Sequence, residues 1–283
     1  MTNPYIALLR LDKPVGIWLL LWPCWWGITL ASNTGPDVRL LMLFVVGAVI
    51  MRAAGCIIND LWDRKIDAEV ARTRTRPLAS GAIAPWQALW VLAGLLASGA
   101  AVLWQLPSTA IVWGLFSLPL VALYPLMKRI TWWPQAFLGL TFNWGALVGW
   151  AAVRGQVEVP ALLLYAGGVL WTLGYDTLYA CQDRADDARI GVRSSALRLG
   201  GRVLPVVQRF YIVAAVLLGL GALAGGASVW FFAAFGAFFG GFLKYLQGVD
   251  ISSPAAAMAA FKANVWFGGV VWLALLAGTV YPF

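Results

Sequence analysis

The chain has 283 residues, 61% of them hydrophobic and only 11% charged, with a formal net charge of +8 and no histidine. Soluble domains carry about a quarter charged residues, so this composition, with a mean hydropathy of +0.80, predicts an all-α polytopic membrane protein. The missing histidine excludes Ser-His-Asp and Cys-His nucleophiles, His-ligated haem and His-held metals, leaving oxygen as the ligand for any metal.

A bilayer crossing takes about 20 mostly apolar residues, and nine candidates follow in chain order. They are Val15–Ala31, Leu40–Ile58, Trp86–Trp104, Thr109–Leu126, Pro134–Val153, Ala161–Ala180, Leu204–Ala224, Val229–Leu246 and Ala263–Tyr281. Together they form a single domain spanning residues 1–283. The first apolar run reads as a retained helix, since it lacks a small-residue cleavage site and many spans follow. No Arg-rich transit segment precedes it, which favours a bacterial inner (plasma) membrane. Cys24, Cys56 and Cys181 are far apart and read as free core thiols.

The basic residues fall on alternate loops. Arg64, Lys65, Arg72, Arg74 and Arg76 follow the second span, Lys128 and Arg129 the fourth, and Arg184, Arg189, Arg193, Arg198 and Arg202 the sixth. The opposite side has Arg39 and Arg154. By the positive-inside rule the N-terminus and the basic loops are cytoplasmic. The charge is therefore a topology signal, and no nucleic-acid partner is expected. No protein partner is evident.

Most of the chain's acids gather in two short clusters, each at the cytoplasmic end of a span. Asn59, Asp60, Asp63 and Asp67 form the first; Asp176, Asp183, Asp186 and Asp187 form the second. Helical neighbours four apart share a face, so Asn59, Asp63 and Asp67 form one oxygen-rich stripe. Asp183 and Asp187 form another, with Asp176 two turns earlier on the same side. Facing stripes of this kind suit Mg²⁺, which takes one or two carboxylates plus water and phosphate oxygens. Arg64, Arg72, Arg76, Lys128 and Arg129 add a basic rim that fits phosphate or carboxylate. Arg52, inside the second span, is a functional candidate because intramembrane charges are costly. Acidic mouth, basic rim and an apolar interior with 17 Trp suit an isoprenoid diphosphate.

The patterns Asn59-Asp60-x-x-Asp63-x-x-x-Asp67 and Asp176-x-x-Tyr179-Ala180-x-x-Asp183-x-x-x-Asp187 resemble the two signatures of the UbiA superfamily of intramembrane prenyltransferases. Leu11-Asp12-Lys13-Pro14-Val15-Gly16, Arg76-Pro77-Leu78-Ala79-Ser80-Gly81 and Tyr124-Pro125-Leu126-Met127-Lys128-Arg129 with Trp133-Pro134-Gln135 are similar to its 4-hydroxybenzoate polyprenyltransferase branch. The resemblance runs from the head to about Gly201. It implies nine helices around a central cavity under cytoplasmic cap loops, and Mg²⁺-assisted transfer of a polyprenyl group from polyprenyl diphosphate to 4-hydroxybenzoate in ubiquinone biosynthesis. It implies metal–diphosphate positions at Asn59, Asp63, Asp67, Asp183 and Asp187. Substrate contacts are expected from Arg64, Arg72, Arg76, Tyr124, Lys128, Arg129, Asp176 and Tyr179. Chemistry is expected at Asp60, Asp63, Asp183 and Arg129, with Asp60 or the released diphosphate accepting the ring proton. Two other readings of the same residues are a prenyltransferase with another aromatic acceptor and an ion-coupled transporter using Asp176. The Asp-Gly-x-x-Ala-Arg signature of CDP-alcohol phosphotransferases is absent.

Overall fold

The computed structural model describes residues 3–32 and 35–280, and among these the regular structure is entirely helical. Short α1 (Pro4–Leu8) leads into α2 (Val15–Ala31), α3 (Val38–Glu69) and α4 (Pro85–Leu103). Next come α5 (Ser108–Phe116), α6 (Leu118–Leu123), α7 (Met127–Ile130), α8 (Pro134–Arg154) and α9 (Val159–Ala180). Then follow α10 (Arg184–Ile190), α11 (Ser195–Leu199), α12 (Val203–Ala224), α13 (Val229–Gln247) and α14 (Pro254–Val280).

Seven segments are long and apolar enough to cross a membrane: α3, α4, α5–α7, α8, α11–α12, α13 and α14. Together with the 17-residue α2 and α9 they make nine long segments among the described residues. This matches the predicted succession of spans, with three differences. First, α3 runs on to Glu69, past the predicted end of the span at Ile58, so the helical stripe of the first acidic cluster continues the span without a break. Second, the fourth span is broken. Pro119 and Pro125 remove backbone donors, and the chain passes through α6, a 3₁₀ turn at Tyr124–Leu126 and α7. Third, α14 starts at Pro254, ahead of the predicted Ala263. The predicted end of that span at Tyr281 lies outside the described residues.

Packing divides the bundle into two parts. α2, α8, α9, α12, α13 and α14 pack on one another around one core that includes Trp26, Trp150, Trp171, Tyr211 and Phe267. α2 and α8 come close because neither has side chains in the way. A Cβ on Gly27 would stand 2.2 Å from the Ala146 carbonyl oxygen, and one on Gly149 would stand 2.5 Å from that of Cys24. Small residues let backbones approach within a membrane, where dispersion replaces the hydrophobic drive. Buried Asn264 ties three helices, its Oδ1 accepting from Trp171 Nε1 (2.8 Å) and Tyr211 Oη (2.7 Å). The second part is a looser flank. α4 buries only Ala88 and α5 only Ala110. A large cavity lies between this flank, carried by α3, and the compact core.

Candidate active site

The three basic loops meet at one end of the bundle. Arg189 donates to the Glu69 carbonyl (2.8 Å) and the Ala71 amide to Asp186 (3.3 Å), joining the segment after α3 to α10. Arg193 donates to the Ile130 carbonyl (2.6 Å), joining the α10–α11 segment to α7. Both acidic clusters are therefore at the same end, as their sequence positions predict.

The α3 stripe forms as expected. Asn59, Asp63 and Asp67 recur every four residues and all line one polar pocket of about 180 Å³. The second cluster arrives differently. α9 stops at Ala180, a 3₁₀ turn covers Cys181–Asp183, and α10 restarts at Arg184. Asp183 and Asp187 thus do not share one continuous helix with Asp176. The break still presents Asp176, Asp183 and Asp187 to the same pocket, opposite the α3 stripe.

Cations hold three of these pocket acids, Asp63, Asp67 and Asp183. Arg72 forks onto Asp183, with Nε–Oδ1 at 2.8 Å and Nη2–Oδ2 at 2.5 Å, and donates from Nη1 to Tyr179 Oη at 2.8 Å. Lys128 pairs with Asp63. Arg76 bridges Asp60 (3.1 Å) and Asp67 (2.7 Å). Arg129 Nη2 donates to the Trp62 carbonyl at 2.8 Å and stands 3.5 Å from Asp63 Oδ1, so it braces the rim without lining the pocket. Arg64, expected at the substrate, is exposed on the outer side of α3 and lines neither cavity. The inward face of α3 belongs to Asp60, Asp63 and Asp67, and position 64 is turned about 100° from Asp63.

Sequence reasoning left out Arg10. Its Nη2 donates to both Asp60 oxygens, Oδ2 at 2.7 Å and Oδ1 at 2.9 Å, and its Nη1 donates to the Ala7 carbonyl at 2.7 Å. Arg10 is the one non-glycine residue with positive φ (55°) among the described residues, a conformation costing about 1–3 kcal/mol. With Arg10 and Arg76 on it, Asp60 is 2% exposed and its oxygens are engaged. The structure gives it the role of an anchor for two guanidinium groups and leaves it poorly placed to accept a ring proton. The sequence signal was a lone cation just ahead of Asp12-Lys13-Pro14.

The polar pocket shares Asn59, Arg72, Arg76, Tyr124, Asp176 and Tyr179 with a cavity of about 1300 Å³ that continues into the membrane region. Arg52 lines this cavity, its guanidinium carbon 5.5 Å from the Phe142 ring centroid. Its Nε is buried without a hydrogen-bond partner, and no carboxylate pairs with it within 4.0 Å among the described residues. Asp176 lines both cavities and is likewise outside any such ion pair.

Residues 20–282 match the model of the UbiA prenyltransferase family. The chain belongs to the UbiA prenyltransferase family. It is 47% identical over 285 residues to the mitochondrial 4-hydroxybenzoate polyprenyltransferase of Drosophila pseudoobscura pseudoobscura, covering 99% of this chain and 71% of the relative. Its fold is similar to the apo structure of a UbiA homolog from Aeropyrum pernix K1, with TM-score 0.71, 24% identity, and 93% and 96% of the two chains covered. It is also similar to a UbiA homolog from Archaeoglobus fulgidus bound to GPP and Mg²⁺, with TM-score 0.70, 16% identity, and 97% and 100% covered. Membership of this prenyltransferase family removes the transporter reading.

The residues present fit a hard divalent cation. Every candidate ligand is an oxygen donor. Asp63 Oδ1 is buried and accepts no hydrogen bond. Burial, reinforced by the charge of Asp183, pushes the Asp187 carboxyl up to about 6, the sign of a carboxylate short of positive charge. Among the described residues no three acids converge enough to hold an ion alone, so water and phosphate oxygens must complete the coordination, as Mg²⁺ prefers.

Proposed function

We propose that this chain transfers a polyprenyl group from a polyprenyl diphosphate to carbon 3 of 4-hydroxybenzoate, a step of ubiquinone biosynthesis. The observation that carries the reading is the continuity of a carboxylate-lined, cation-rimmed pocket with a deep apolar cavity. The curated relative's name and the family match support it.

Asn59, Asp63 and Asp67 on one wall and Asp183 and Asp187 on the other would hold Mg²⁺, which when bound neutralises diphosphate charge as the allylic C–O bond breaks. Arg72, Arg76 and Lys128 bind diphosphate oxygens and stabilise the charge that builds on the leaving group. Tyr124 and Tyr179 flank the reacting carbon where the two cavities join. Diphosphate departs with the bonding electron pair, leaving an allylic cation, and the ring carbon ortho to the phenol hydroxyl attacks that cation to form the new C–C bond. Arg52, a cavity-lining cation whose Nε is buried without a hydrogen-bond partner, holds the benzoate carboxylate. A carboxylate oxygen of Asp176 takes the ring proton and restores aromaticity. The apolar wall keeps water from the allylic cation. The reaction takes place at the membrane face that carries the basic loops, with donor and product in the bilayer.

The test is mass spectrometry of products from the purified protein supplied with Mg²⁺, 4-hydroxybenzoate and polyprenyl diphosphates. A 3-polyprenyl-4-hydroxybenzoate should form, stop with excess chelator and return with added Mg²⁺. No prenylated benzoate, or full activity in chelator, refutes the reading.

A further inference from the structure

The large cavity has two dissimilar ends. One, beside the head and α14, carries Asp12, Lys13 and Lys262. The other lies toward the far membrane face and is walled by Phe44, Gly47, Val102, Leu103, Leu106 and Leu115. A hydrocarbon tail leaving the diphosphate pocket gains by burial only along the second route.

The α3 face on that route contains two glycines that packing does not explain. A Cβ on Gly55 would meet nothing within 4 Å, and one on Gly47 would meet only Val102 Cγ1 at 3.7 Å, an ordinary contact. Both are in mid-helix, where glycine is the weaker helix former. Both line the cavity, and they are about 12 Å apart along the helix axis at 1.5 Å per residue. No neighbouring backbone demands glycine here, in contrast to Gly27. What these positions supply is open lumen.

We propose that Gly55 and Gly47 set the length of prenyl chain the protein accepts, Gly55 clearing the path for the first isoprene units and Gly47 for the distal ones. The assignment rests on the prenyl-transfer reading above and adds the route and the residues that gauge the tail. A leucine at either position would project its side chain into the lumen without displacing backbone. Gly55→Leu then obstructs every donor, and Gly47→Leu obstructs only donors long enough to reach it.

The experiment gives the purified protein Mg²⁺, 4-hydroxybenzoate and equal amounts of geranyl and octaprenyl diphosphate, and reads both products by mass spectrometry. Gly47→Leu should lower the octaprenyl-to-geranyl product ratio at least about tenfold, the scale of overpacking a filled site, with geranyl turnover retained. Gly47→Ala should shift the ratio slightly in the same direction, and Gly55→Leu should depress both products. Gly94→Leu, on exposed α4 surface outside the cavity lining, controls for adding a leucine to a membrane helix and should change neither. A wild-type ratio in Gly47→Leu, whatever the total activity, or undiminished products in Gly55→Leu, overturns the assignment. If the unmutated protein makes neither product, the prenyl-transfer reading itself fails.

Discussion

At the scale of single residues the site is defined by which charges have partners. Asp60, Asp63, Asp67 and Asp183 each have a guanidinium or ammonium group on them, whereas Arg52 is buried against Phe142 with Nε unpaired. A cation left so in a membrane protein is costly unless an anion joins it, and the benzoate carboxylate has the right charge and size. Arg52→Gln should therefore raise KM for 4-hydroxybenzoate about tenfold or more, the worth of one charged hydrogen bond, and leave KM for the diphosphate donor near its starting value. Steady-state kinetics with each substrate varied in turn will check this. Equal changes in both constants would show that Arg52 only supports the fold. The acids and their spacing were legible in the sequence because i,i+4 recurrence survives without any tertiary information. Arg10 was not legible as a site residue, because its pairing with Asp60 joins positions 50 residues apart. The charge of Arg64 fits the rim, and only the helical phase of α3 shows that it faces outward.

At the scale of elements, the bundle combines tightly seated helices with a loose flank. α2 and α8 approach through Gly27 and Gly149, where an added Cβ would strike backbone oxygens that cannot swing aside. Gly27→Val should lower the stability of the detergent-solubilised protein by about 1–3 kcal/mol or more, seen as a fall in the thermal transition followed by tryptophan fluorescence. An unchanged transition would mean that the α2–α8 contact is looser than described. The succession of helices was readable from hydropathy alone, since a span must satisfy its backbone internally. Breaks within helices were less readable. Pro119 and Pro125 signal the interruption of the fourth span, but the 3₁₀ turn at Cys181–Asp183 has no proline or glycine to announce it. That turn, and not an unbroken helix, is what turns Asp183 and Asp187 toward the α3 stripe.

At the scale of the whole molecule, the chain folds a membrane bundle whose basic loops converge at one end and cover a junction between a polar pocket and an apolar cavity. The same arrangement predicts sidedness. Single cysteines introduced at Thr75 and Val192, in a background lacking Cys24, Cys56 and Cys181, should react with a membrane-impermeant maleimide from the cytoplasmic side. A cysteine at Gln156 should react from the other. Labelling of all three from one side would overturn the topology. The central claim is that the two acidic clusters, 109 or more residues apart in the chain, act as one metal-bound diphosphate socket. The most direct measurement is calorimetric binding of a non-ionisable thiolo analogue of geranyl diphosphate, with Mg²⁺, to Asp63→Ala, Asp183→Ala and the double variant. A shared socket predicts that each single change weakens Mg²⁺-dependent binding at least about a hundredfold, in line with loss of one preorganised charged group, and that the double variant loses little more. Additive losses, or a single variant that binds as the unmutated protein does, would contradict it.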